Sequence, residues 1–231
     1  MANLKMEALI LTVGVALGGY FVKSGLDSFA AKDRVVNVKG LAEMEVQANK
    51  VTWPMTYNAL GDDLPTLYND IKKNNASIIS FLKSKGIKDE EISISAPEVY
   101  DNQAERYGNN NQRYRYNVTS KITVTSEQVD LVRKLLNEQG ELLKQGIAVT
   151  TSNYNVQYDY TKLNDIKPQM IEEATKNARL AAEKFAKDSE SELGKIKHAY
   201  QGQFTINDRD MNTPHIKRIR VVTTIDYSLE D

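Results

Sequence analysis

The chain has 231 residues and a mass of 26.0 kDa, which suits one domain or two small ones with a buried core. Lys+Arg is 30 and Asp+Glu is 31, so the net charge is −1, which argues against a dedicated nucleic-acid binder. A mean hydropathy of −0.50 excludes a multi-spanning membrane protein. Cysteine is absent, which removes disulfides, thiol nucleophiles, Cys-ligated zinc and iron–sulfur clusters. Only two histidines occur, His198 and His215, so most metal or general-base chemistry would fall to carboxylates or hydroxyls.

Residues Ala8 to Val22 carry no charge and lie between Glu7 and Lys23. As a helix they reach roughly 22 Å, short of a hydrocarbon core of about 30 Å, and snorkelling by Lys5 and Lys23 lengthens the span. Three readings fit: an uncleaved single-pass anchor, a secretory signal cut after Ser28-Phe29-Ala30, and a short buried helix. The anchor is preferred, because the polar stretch from Lys23 to Ala30 is long for a signal. Gly14-x-x-x-Gly18 would then give the anchor a close-packing face. Lys5 on one side, with Lys23, Lys32 and Arg34 on the other, does not set its orientation. The expected organisation is an anchor or signal segment with a short linker over 1–32 and one exported domain over 33–231.

In the domain, Arg34 to Ala48 alternates as a strand, with Val36, Val38, Gly40, Ala42, Met44 and Val46 on one face. After a turn at Asn49-Lys50, Val51, Trp53, Met55 and Tyr57 alternate with polar residues. Pro54 predicts an edge or a bulge in that strand. Gly61-Asp62-Asp63 opens a helix, with an Asp as N-cap and Pro65 in the first turn. Leu64, Leu67, Tyr68, Ile71, Ile78, Phe81 and Leu82 form its stripe, and Gly86 closes it. A strand with Ile92, Ile94 and Ala96 inward follows. Tyr114, Tyr116, Val118, Ile122 and Val124 then share one face of the clearest strand. Thr125 and Gln128 suit a capping box for a helix through Val129, Val132, Leu135 and Leu136 that ends near Gly140 to Gly146.

Ile147 to Tyr160 reads as a strand, broken at Ser152-Asn153. The longest helix runs from about Asn164 to Glu190, with Met170, Ile171, Ala174, Ala178, Ala181, Ala182 and Phe185 inside, and ends at Leu193-Gly194. Two strands close the chain, one from Ile196 through His198, Tyr200 and Phe204 to Ile206, the other from Ile219 to Leu229. The order ββαββαβαββ, preceded by the apolar N-terminal helix, predicts an α+β fold with mainly antiparallel sheets and helices packed on one face. Gly86-Ile87 and Gly146-Ile147 each restart the chain after a helix and hint at an internal duplication.

Candidate chemistry is sparse. Asp208, Asp210 and Asn212 match the first three ligand positions of a calcium loop, but Thr213 stands where glycine is needed and Ile219 where glutamate is needed, so a solvated turn is expected. His198 reads as a core or interface histidine and His215 as a loop residue. No phosphate-binding glycine loop, nucleophile elbow or zinc-protease motif occurs, so no catalytic, cofactor or metal residue is assigned. The Tyr107 to Arg113 segment reads as a polar hairpin tip, with tyrosines for rigid contact and asparagines for adaptable hydrogen bonds. Arg113, Tyr114, Arg115 and Tyr116, together with Trp53 and Tyr107, are the candidate interface or partner contacts. Stacking of the Arg-Tyr-Arg-Tyr run on single-stranded nucleic acid is disfavoured, because its arginines and tyrosines alternate in face.

Five pieces of sequence then form a pattern. They are Val36-Asn37-Val38-Lys39-Gly40; Gly86-Ile87 with Asp89 and Ile92; Pro97-Glu98-Val99-Tyr100 ahead of Tyr114 to Val124; Ala174, Arg179, Ala182 and Ala186 leading to Leu193-Gly194-Lys195-Ile196; and Ile225-Asp226-Tyr227-Ser228-Leu229. In this order and spacing, Val35 to Leu229 resembles the SIMPL family of bacterial envelope proteins. The resemblance implies an α+β fold, a periplasmic or envelope location, self-assembly into a large homo-oligomer and an association with stress. It supplies no catalytic motif. The expected function is thus a non-enzymatic, self-associating envelope protein, held at the inner membrane through residues 8–22, with no cofactor and no nucleic-acid partner. The alternatives are a signal-cleaved periplasmic form and, in function, a small-ligand binder or hydrolase using carboxylates or hydroxyls.

Overall fold

A computed structural model describes residues 11–25, 34–104, 113–150 and 155–230. Residues 11–25 form a first helix, α1. The elements that follow are β1 (Val35–Gln47), β2 (Lys50–Gly61), α2 (Leu64–Ser84), a 3-10 turn (Asp89–Glu91), β3 (Ile92–Ile94), β4 (Glu98–Asp101) and β5 (Tyr116–Ser126). After them come α3 (Val129–Glu138), α4 (Gly140–Leu143), β6 (Gln157–Asp159), α5 (Leu163–Asp188), β7 (Glu192–Gln201), β8 (Thr205–Asp208) and β9 (Ile216–Glu230). The fold is α+β with antiparallel sheets, as the patterning implied. The chain forms two compact units, each discontinuous in sequence. One holds Met1–Met44, Asn164–Thr205 and Ile219–Asp231; the other holds Glu45–Leu163 and Ile206–Arg218.

The unit holding Glu45–Leu163 is built on the pairing of β2 with β5, antiparallel from Val51↔Ser126 to Gly61↔Tyr116. Their common inner face carries Val51, Trp53, Met55 and Tyr57 against Val118, Ile122 and Val124, all buried. α2 covers it with Leu67, Ile71, Ile78, Phe81 and Leu82, and α3 adds Val132 and Leu135. Sheet order β3-β5-β2-β6 makes this a β-α-β-β-α-β, ferredoxin-like arrangement. It has an internal two-fold pattern. β2–α2–β3 and β5–α3/α4–β6 are equivalent halves, and each third strand pairs with the first strand of the other half. Both helical segments also end in the same way. Gly86 (φ 100°) donates to the Lys83 carbonyl and Ile87 to the Leu82 carbonyl; Gly146 (φ 79°) donates to Leu143 and Ile147 to Leu142. Only glycine takes that left-handed turn without strain, and the isoleucine that follows is buried in both cases.

The helix start is also as expected. Asp63 is the N-cap of α2, its carboxylate accepts the Thr66 amide at 3.0 Å, and Pro65 lies in the first turn. Several other expectations need correction. Of the two places open to Trp53, core and interface, the structure gives the core: it is fully buried, because β2 is flanked by β5 and β6 and roofed by α2. Pro54 is nevertheless accommodated locally. The Thr56 carbonyl points away from β5, to accept from Thr150, and Pro54, two residues earlier, has its nitrogen on that same side, past the three pairs that β6 makes. Ile94 is 51% exposed and Ala96 is also exposed, since β3 is a three-residue edge strand. Leu64 and Tyr68 fall outside the buried stripe of α2. The capping box at Thr125 is absent: Gln128 is the N-cap of α3, and the Ser126 hydroxyl accepts its amide at 3.0 Å. Only Gln157–Asp159 and a bridge at Thr150 remain of the strand expected over 147–160, and its break at Ser152-Asn153 lies outside the described residues.

The other unit has strand order β1-β9-β7, with α5 packed on one face. Met170, Ala174, Ala178, Ala182 and Ala186 recur every four residues as the buried stripe of α5. The approach to β1 is so close that a Cβ on Gly40 would stand 1.8 Å from the Ala174 carbonyl oxygen and 2.5 Å from the Ala178 nitrogen. Phe185, expected inside, is 60% exposed. The helix ends at Asp188, and Leu193-Gly194 already belongs to β7. β7 and β8 are separate strands rather than one run. α1 is exposed along its whole length. Among the described residues no helix is long and apolar enough to cross a membrane.

Replacing Gly40 by alanine forces helix and strand apart. The expected loss is roughly 1–3 kcal/mol of stability, read as a lower urea midpoint by far-UV circular dichroism; an unchanged midpoint would show that the α5–β1 contact is not this tight.

Candidate functional site

The candidate contact residues Arg113, Tyr114, Arg115 and Tyr116 enter β5 at the base of the hairpin that follows β4. Tyr107 and the rest of the tip, residues 105–112, lie outside the described residues. β4 pairs with β5 from Glu98↔Thr119 to Asp101↔Tyr116. The base is fastened from three sides. Arg115 forms a two-pronged ion pair with Asp101, its Nε 3.3 and 3.2 Å from the two carboxylate oxygens and its Nη2 3.0 Å from one of them. The Arg115 amide donates to the Asp62 carboxylate at 2.8 Å. Asn102 donates its amide to the Arg115 carbonyl and its side-chain NH2 to the Tyr114 carbonyl, both at 2.8 Å.

Two cation–π contacts run beside these bonds. The Arg113 guanidinium carbon lies 5.4 Å from the Tyr114 ring centroid and that of Arg115 4.8 Å from the Tyr116 centroid. Although arginine and tyrosine alternate along the chain, each guanidinium thus folds back over the next ring. The Arg115 guanidinium holds the Asp101 carboxyl below its usual range, helped by the Gln103 amide. Asn102 was not singled out from the sequence, and Asp62 was read only as part of a helix start. The available signal for Asn102 was its place at the end of a hairpin strand, where such side chains bond nearby backbone.

The remaining candidates are structural or exposed. Asp210 builds a turn: its carboxylate accepts the amides of Asn212 and Thr213 at 2.8 Å, the Thr213 hydroxyl, and Arg209 Nε at 3.1 Å. These bonds, the hydroxyl first and Arg209 next, lower its pKa to about 2. Asp208 pairs with the mostly buried Lys217. The three residues therefore form a turn, and no metal-holding cluster is found among the described residues. His198 is not a core residue: its side chain is 84% exposed on the edge strand β7, 3.7 Å from Asp226. A Cβ added at Gly14 or Gly18 would meet nothing within 4 Å among the described residues.

The sequence also left a buried polar trio unmarked. The Tyr57 hydroxyl donates to Asn75 at 2.7 Å and Ser120 donates to the same oxygen at 3.0 Å, tying β2, α2 and β5 together; burial pushes the Tyr57 pKa up. A shallow concavity lies where β5 runs into α3, lined by Lys50, Lys88, Glu90, Glu91, Ser126 and Gln128. Its one buried hydroxyl, Ser126, donates to Glu91 at 2.5 Å and accepts the Gln128 amide just ahead of α3, so it is already engaged.

The two antiparallel sheets, the ferredoxin-like unit and the fastened hairpin define an α+β protein whose described polar clusters are spent on turns, caps and strand ends. The chain belongs to the SIMPL family, described as a protein of unknown function, whose model matches residues 36–220. No curated protein matches the chain.

Thr213→Ala removes the bond that does most to lower the Asp210 pKa. Carboxyl NMR titration should find Asp210 near 2 in the wild type and closer to its ordinary value of 3.8 in the variant. Because the folded value is depressed, the stabilisation from this carboxylate is present above the ordinary value and disappears as pH falls through about 2. Equal titration in both proteins would contradict the turn geometry.

Proposed function

We propose that this protein is a self-associating cell-envelope protein without catalytic activity. It is tethered at the inner membrane through residues 8–22, with its folded units on the periplasmic side, and takes part in a stress response. The observation that carries this reading is α1. Leu11, Val15, Tyr20, Phe21 and Val22 are all exposed, and a Cβ added at Gly14 or Gly18 would meet open space among the described residues. A charge-free apolar run whose described large side chains are exposed finds its cover in lipid or in the same segment of another copy. Described residues 11–25 fall short of the bilayer alone, so the tether also needs Ala8–Ile10 and the flanking lysines. Envelope location, self-assembly and the stress role follow the family resemblance. The Arg–Tyr hairpin base supports the reading as a rigid mount from which a tip rich in asparagine meets a partner.

Light scattering tests it, on the full chain in mild detergent and on a chain starting at Asp33. The expected result is a large, defined mass for both. Monomers in both across micromolar concentrations would end the self-association reading and return attention to small-ligand binding.

A further inference from the structure

The exposed side chains of α1 are not confined to one stripe. At about 100° per residue, Leu11, Val13, Tyr20 and Phe21 leave the helix in different directions, and all four are exposed. A helix that docks in a protein groove or lies along a membrane surface has one apolar face and one polar face. A helix that is apolar all round needs cover on every side. Pairing with the same helix of another copy hides a single seam, so the remaining sides still call for lipid.

The two ends of this apolar run differ. No aromatic residue occurs from Met1 to Gly19. Tyr20 and Phe21 then stand together, 69% and 70% exposed, with ring centroids 6.1 Å apart and planes at 72°. Lys23 follows one residue after them. Tyrosine has an apolar ring and a polar tip, and lysine has an apolar stem and a charged head. Both settle where hydrocarbon gives way to headgroups. We propose that Tyr20, Phe21 and Lys23 lie at the headgroup boundary of a lipid-spanning α1. This rests on the tether read above and adds its depth in the bilayer. Val15, six residues before Phe21, then lies about 9 Å deeper. The uncharged residues 8–22 supply about 22 Å of a core of about 30 Å. With the aromatic end at the boundary, the shortfall falls at the other end, around Lys5 and Glu7. There the bilayer thins or the lysine snorkels.

The test is tryptophan fluorescence of the full chain in phosphatidylcholine vesicles, with bromine carried either just below the headgroup or near the ends of the acyl chains. Trp53, the sole native tryptophan, is fully buried in its own unit and so is shielded from bromine. Phe21→Trp should be quenched more by the shallow bromine, and Val15→Trp more by the deep one. Both positions are exposed on α1, so neither substitution disturbs packing within the folded units. The reverse order, or equal depth at the two positions as in a helix lying along the surface, would overturn the proposal while leaving contact with lipid in place. No quenching at either position would overturn it together with the tether.

Discussion

The pairing of β2 with β5 is the constraint on which the rest of their unit depends. Eleven consecutive residue pairs set one register, and that register puts Trp53, Met55 and Tyr57 on the same side as Val124, Ile122 and Ser120. A slip of one strand by one residue would turn its three outward while the other three stayed inside. The helices then have one apolar floor to cover, and the partly buried Tyr57–Asn75–Ser120 trio ties α2 to it. The same strand pair supports the candidate contact site, because the hairpin base is simply the end of this ladder, with Asp62 just past β2 and Arg115 just before β5.

Much of this was legible in the sequence. Alternation in Val51–Tyr57 and Tyr116–Val124 named the two central strands, and Asp63, Pro65 and Gly86 bounded the helix between them. The paired Gly-Ile restarts were a true local signal. Both are left-handed caps on equivalent halves of one sheet, so the hint of duplication has a geometric counterpart in the β3-β5-β2-β6 order. The small residues along α5 marked a face fit for close approach to a sheet or another helix, and the structure sets it against Gly40 in β1.

What was not legible is coverage. Alternation tells which side of a strand a residue takes, but not whether anything lies over that side. His198, Ile94 and Phe185 have the right phase and the wrong neighbours: two sit on edge strands, and the third lies on a helix face away from the sheet. β7 shows how the chain manages such an edge. Lys195 and Lys197 lie along it, and its register with β9 shifts twice, features that discourage pairing with a further strand. Hydroxyl and carboxylate roles were hidden for a related reason. Ser126, Asp101 and Asp210 are used by backbone amides and arginines distant or local in sequence, and no spacing rule marks them.

The account rests on β2 and β5 as the keystone, and hydrogen exchange followed by mass spectrometry tests that most directly. Peptides covering Val51–Leu60 and Asn117–Ser126 should be the slowest to exchange within their unit, slower than those covering β3, β4 and β6. If the edge strands exchanged as slowly, or if β2 opened before them, the unit would not be organised around this pair.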